Sequence, residues 1–225
     1  MSASDLSPPG LPPLPGALES ELAQLAPVRT RRPVRQLAMV VAVSLLYGAG
    51  LVVMLTIRRD LDELPVGWLI GAGLLWLLGF AVPLYLATVP RSGSMMPRWR
   101  LAGLTAAIAA IAAISLGMML HPLGPNSVVL GWQSVTRGYG CLLHGLETAI
   151  VPVIAGTLAL RRALPVGARW IAAALGASGG SLGGLVLHLH CPVADGLHVG
   201  LIHGGSIVAA AVLAAALVPR ATEVR

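Results

Sequence analysis

His121, Cys141, His144, His188, His190, Cys191, His198 and His203 are all of the histidines and cysteines in this 225-residue chain. Thiolate and imidazole ligands suit soft or borderline cations such as Cu(I) and Zn²⁺ in tetrahedral sites. Two thiols on the oxidising side of a bacterial membrane are equally candidates to pair as a disulfide. The sequence has no CxxC pair and no HExxH, so spacing leaves metal site, Cys141–Cys191 disulfide and inert packing all open. Cys141, His144 and Glu147 recur at i, i+3 and i+6, which predicts one helical face descending about 9 Å at ~1.5 Å per residue. An intramembrane carboxylate is expensive unless neutral, paired or facing polar groups, so Glu147 is a functional candidate with His144 or His203 as expected partner. A second group follows as His188, His190, Cys191 and Pro192, then Asp195, His198 and His203. Pro192 is expected to end a helix and leave His190 and Cys191 at the surface.

The elements that must position these groups are read from hydropathy. Hydrophobic residues make up 56% of the chain and charged ones 11%, and the mean hydropathy is +0.82. Apolar runs long enough to cross ~30 Å of hydrocarbon predict six transmembrane helices at about 36–57, 66–89, 101–121, 138–160, 166–189 and 198–218. The fold class is therefore an all-α, polytopic membrane protein, since hydrocarbon satisfies no open strand edge and these runs lack barrel-type alternation. No cleavable secretory signal is expected ahead of the first run. All fifteen basic residues are arginine, and most flank alternate ends of the runs. The positive-inside rule then predicts both termini in the cytoplasm of an inner membrane. The Cys/His ends face the opposite side, which carries Arg58 and Arg59 balanced by Asp60, Asp62 and Glu63, and otherwise Arg137. Membrane orientation accounts for the isoelectric point of about 10.6 better than direct nucleic-acid binding does.

Domain organisation follows as a cytoplasmic arm over 1–35, a membrane domain over 36–220 and a tail over 221–225. Ser7 to Gly16 is almost wholly Pro, Gly, Leu and Ser and predicts a disordered leader. Leu18, Leu22 and Leu25 recur at i, i+4 and i+7 before Pro27, which predicts a short amphipathic helix. Its polar face is acidic, so docking to a cytoplasmic protein stands beside resting on the bilayer. Gly176, Gly180 and Gly184, with Gly179 and Gly183 beside them and Gly200 and Gly204 in the last run, mark close helix packing. Packing within one chain is the main expectation, with a homo-oligomer left open. The loop from Pro122 to Arg137 carries turn chemistry rather than a fold of its own.

Several segments carry a family resemblance: ALESELAQLAPVRTRRP, ending at Pro33, CLLHGLETAIVP, LALRRALP, and GASGGSLGGLVLHLHCP followed by His198 and His203. Together they resemble the NrsF-type (negative regulator of sigma F) membrane anti-sigma factors. The resemblance implies a chain, not an enzyme, that holds an extracytoplasmic-function sigma factor at the membrane and releases it under metal or oxidative stress. It implies Cys141 and Cys191 as the sensing pair, with His144, His188, His190, His198, His203 and Glu147 as further metal-ligand candidates from the residues themselves. Leu18, Leu22, Leu25, Arg29, Arg31 and Arg32 are the expected partner-binding residues. A metal or proton transporter using Glu147 and His144 is the alternative, although no matching polar pathway continues through the other halves of the runs. A two-sided haem protein would need histidines near both faces, and no nucleophile–base pair points to an enzyme.

Overall fold

The computed structural model describes residues 32–90, 95–119, 132–161 and 167–222. Residues 33–225 form one compact unit, distinct from residues 1–32. Its helices are α1 (Pro33–Leu55), α2 (Val66–Thr88), α3 (Arg98–Met119), α4 (Trp132–Arg137), α5 (Tyr139–Leu160), α6 (Ala168–His190), α7 (Gly196–His198) and α8 (Gly204–Thr222). A π-helical turn, Val199–His203, joins α7 to α8. Six helical runs are long and apolar enough to cross a membrane: α1, α2, α3, α5, α6 and the continuous run Gly196–Arg220. The leader and the amphipathic helix expected before Pro27 lie outside the described residues, as do His121, Arg29 and Arg31.

The helix α6 is the hub. In its apolar stretch 83% of the residues are buried inside the protein, against 22–28% in each of the first four spans, so α6 is walled off from lipid by its neighbours. It packs most extensively on α8, α5 and α2. Small residues make this possible. A Cβ added at Gly180 would sit 2.5 Å from the Ile207 Cα of α8, and one at Gly179 would sit 2.9 Å from the Ala149 Cα of α5. Glycines one residue apart thus bring α6 against two helices at once, and the glycine series packs helices of the same chain.

Hydrogen bonds reinforce the contacts that lipid cannot drive. The Ser178 hydroxyl donates to the Phe80 carbonyl at 2.6 Å, joining α6 to α2. The Ser206 hydroxyl bonds the His203 carbonyl at 2.6 Å and reaches the Gly180 carbonyl at 3.2 Å, joining α8 to α6. Side chains of Val40, Trp76, Leu175, Leu182 and Ile207 fill the core around the hub.

Two boundaries differ from expectation. The C-terminal part of the 122–137 loop is helical, forming α4, which packs against α7. The last span starts earlier and is interrupted by the π-turn, a local widening that hydropathy alone does not register.

Candidate metal and redox site

Four of the eight Cys and His side chains converge where α5 begins, α6 ends and the last span starts. Cys141 lies in the first turn of α5 and Cys191 is the C-cap of α6. His198 ends α7 and His203 ends the π-turn. The ligand atoms of the four lie within 4.8 Å of one another.

Local structure explains the convergence. The Asp195 side chain accepts a 2.9 Å hydrogen bond from the His198 backbone N–H, fixing the start of the last span just after the Cys191–Pro192 break. Residues five apart on a regular α-helix diverge by about 140°. The i→i+5 bonding of the π-turn instead stacks them, and the His198 and His203 rings meet edge to face with centroids 5.0 Å apart. Sequence periodicity carries no signal for this widening.

The spacing suits a cation. The sulfurs of Cys141 and Cys191 are 3.6 Å apart, and the Cys191 sulfur is 3.5 Å from His198 Nε2. Tetrahedral coordination with metal–sulfur bonds of ~2.3 Å and metal–nitrogen bonds of ~2.0–2.1 Å sets S···S and S···N separations of about 3.8 and 3.6 Å. His203 is 1% exposed. Neither of its ring nitrogens has a partner in hydrogen-bonding geometry, although the Cys141 sulfur stands close enough to interact with it. Buried, under-satisfied nitrogens beside two free thiols are what a ligand set lacking its ion presents. Two thiols at 3.6 Å are also within reach of closing on each other after a small approach. The adjoining Cys141 sulfur and burial hold the Cys191 thiol above its ordinary range, so an arriving cation has to displace a proton there.

The remaining candidates sit elsewhere. His188 is buried against α2, with Nε2 3.1 Å from the Leu69 carbonyl and its ring 4.7 Å from that of Trp68. His190 Nδ1 donates to the Thr56 carbonyl at 2.8 Å. His144 Nδ1 lies 3.3 Å from Glu147 Oε2, and both side chains are exposed at the surface of α5. Cys141, His144 and Glu147 do not share one face, because each three-residue step falls about 60° short of a full turn. Cys141 turns toward the cluster while the His144–Glu147 pair drifts outward. Cys191 is 2% exposed rather than at the surface, because the segment after α6 is folded under the α1–α2 loop.

That loop supplies a residue the sequence reading passed over. Arg58 is a buried arginine whose Nε and Nη2 bond both carboxylate oxygens of Asp60 at 2.7 Å. Its sequence signal was its place: an arginine at the end of the protein that the charge pattern otherwise leaves nearly free of cations.

The family model described as NrsF, negative regulator of sigma F, matches residues 22–223. The chain belongs to the NrsF family. Comparisons with curated proteins and with solved structures found no match. Membership makes the chain a negative regulator with a sigma factor as partner, an anti-sigma factor carried on membrane-spanning helices. The match includes Cys141, Cys191, His198 and His203, and its first residues fall in the segment before α1.

Proposed function

We propose that this NrsF-family chain sits in the inner membrane with both termini in the cytoplasm and holds an extracytoplasmic-function sigma factor there. It lets the sigma factor go when Cys141, Cys191, His198 and His203 capture a soft or borderline metal ion. Supporting this reading above all is the approach of two thiols and two imidazoles to within 4.8 Å around a buried histidine with under-satisfied nitrogens. Oxidation acts on the same pair: two thiols lose two protons and two electrons to an oxidant and form one disulfide. Capture of an ion ties the start of α5, the end of α6 and the start of the last span to one centre, whereas disulfide formation pulls only the first two together. A stimulus shifts sigma binding only by its differential affinity for two arrangements of these helices.

Leu18, Leu22, Leu25, Arg29, Arg31 and Arg32 are the proposed sigma contacts, an amphipathic segment followed by cations just ahead of α1. His144, His190 and Glu147 flank the four-ligand site and offer a weaker, exposed set past which an ion would travel to Cys141. His188, bonded to the Leu69 carbonyl, has a positioning role at the end of α6.

Co-purification of the tagged full-length chain from its native membrane, with and without residues 1–35, followed by mass spectrometry, tests the reading. The expected result is a sigma factor with the full chain under metal-free, reducing conditions, lost on truncation and on adding Zn²⁺ or Cu(I). A sigma factor retained by the truncated chain would overturn the assigned contacts. Retention in the presence of either metal, with the metal bound, would overturn metal-driven release.

A further inference from the structure

The residues around Cys191 are bound both to α6, through the Cys191 N–H and the Leu187 carbonyl at 2.7 Å, and to the loop that follows α1. The Arg58 backbone N–H donates to the Leu189 carbonyl at 3.0 Å. Its guanidinium reaches the His188 carbonyl at 3.5 Å and the Pro192 carbonyl at 3.3 Å while both Asp60 oxygens hold it in place. The Arg58 side chain is 1% exposed and that of Asp60 31%, so the cation is inside and its counterion stands at the rim. The last carbonyls of a helix have no partner within it and form the negative end of its dipole, which suits an arginine. Arg58, however, also reaches past Cys191 to Pro192, so its bonds bracket the cysteine on both sides. Two residues earlier, the Thr56 carbonyl accepts from His190 Nδ1 at 2.8 Å. Thr56 has φ +67°, a left-handed backbone that a β-branched residue adopts only under constraint from its surroundings.

We propose that Arg58 and the turn from Thr56 to Asp60 are a coupling latch: they position Cys191 as a ligand and pass its displacement to α1. This inference rests on the metal reading of the Cys/His site. The hub α6 is packed tightly on several sides, whereas α1 buries only 28% of its apolar stretch and leads directly into residue 32 and the segment before it. When the four ligand atoms, now spread over as much as 4.8 Å, settle at tetrahedral separations around an ion, Cys191 shifts with them, and the turn follows because four hydrogen bonds tie it to residues 188–192. The movement goes into α1, which of the six spans packs least extensively on the others. Arg58 and Asp60 are thus positioning residues, acting through Cys191 rather than on the ion.

Full-length chain in lipid nanodiscs, with nitroxides on unnatural amino acids at positions 35 and 169, tests the latch while leaving both native cysteines in place. The inter-label distance distribution is measured with and without Zn²⁺, and bound zinc is counted in the same samples. The expected result is one zinc per chain and a zinc-dependent shift in the parent. Arg58→Ala and the gentler Asp60→Asn should still bind zinc, about tenfold more weakly, with the shift lost. Should Arg58→Ala not fold, Asp60→Asn alone carries the test. Zinc-loaded variants that keep the parent's shift would overturn the latch alone, as would a parent that binds zinc with no shift. A parent that binds no zinc would overturn the site reading and the latch with it.

Discussion

Single side chains divide here into those that face the site and those that hold it. Replacing Cys191 with Ser or His203 with Gln removes one of four ligands. Zinc affinity measured by competition with a chromogenic chelator should fall more than ~100-fold, beyond the 10–100-fold typical of outer-shell partners. His188→Gln changes a bond to Leu69 and a ring contact with Trp68, and should stay within that smaller range. The Arg58–Asp60 pair makes a separate prediction about acid. The Arg58 hydrogen bonds hold the Asp60 carboxyl below its ordinary value of 3.8. A lowered folded-state pKa means that the pair contributes stability above pH ~4 and loses it as pH falls through the lowered value. Hydrogen exchange at the Arg58 amide, protected by Leu189, should therefore be flat between about pH 5 and 8 after correction for intrinsic rates. It should rise only in stronger acid, whereas in Asp60→Asn the protection should be low throughout. The residue types of the site were legible because thiols and imidazoles are scarce in this chain. Which histidines join the cysteines was not, because it depends on rotation about helix axes that a one-residue widening changes.

Helices carry the next level of information, and their spacing is set by the absence of side chains. A methyl at Gly180 would meet backbone atoms of Ile207 and Ser206, which cannot rotate away as a side chain would. Gly180→Ala should push the upper part of α8 from α6, taking His203 from Cys191, at a stability cost of about 1–3 kcal/mol for overpacking. Gly50→Ala is the control: a Cβ there meets nothing within 4 Å, and the substitution should be neutral or stabilise α1 by about 0.5–1 kcal/mol. Thermal unfolding in one detergent, with zinc affinity measured on the same samples, separates the two. Span positions were legible to within a few residues because apolar length and arginine placement are imposed by the bilayer itself. The short helix α4 and the π-turn were not, since six residues of WQSVTR carry too little periodicity and a π-turn shares its composition with an α-helix.

Across the whole molecule the arrangement is a buried hub with lighter helices around it. The sequence already marked α6 by its glycines, and close packing follows from them. What composition did not reveal is how unevenly burial is shared, with one helix nearly enclosed and α1, α2, α3 and α5 turned largely outward. Enclosure is a property of neighbours rather than of a segment, so a hydropathy profile rates α6 much like the others. For the regulation proposed above this means a division between an enclosed centre that would keep the ligands in register and a less buried periphery that would shift against it. The Cys/His site lies where the two meet, since Cys191 ends the hub while Cys141 belongs to α5.

Of the four proposed ligands, three are buried and Cys141 alone is partly open. The site therefore has a doorway, and traffic through it is ordered. On the proposed metal reading a bare ion would meet Cys141 first and reach the imidazoles only afterwards, while a cation wrapped in a bulky chelator would be stopped at the threshold. As the metal sensor proposed above, the protein would report the exchangeable pool of an ion rather than its total amount, and alkylating reagents should capture Cys141 long before Cys191.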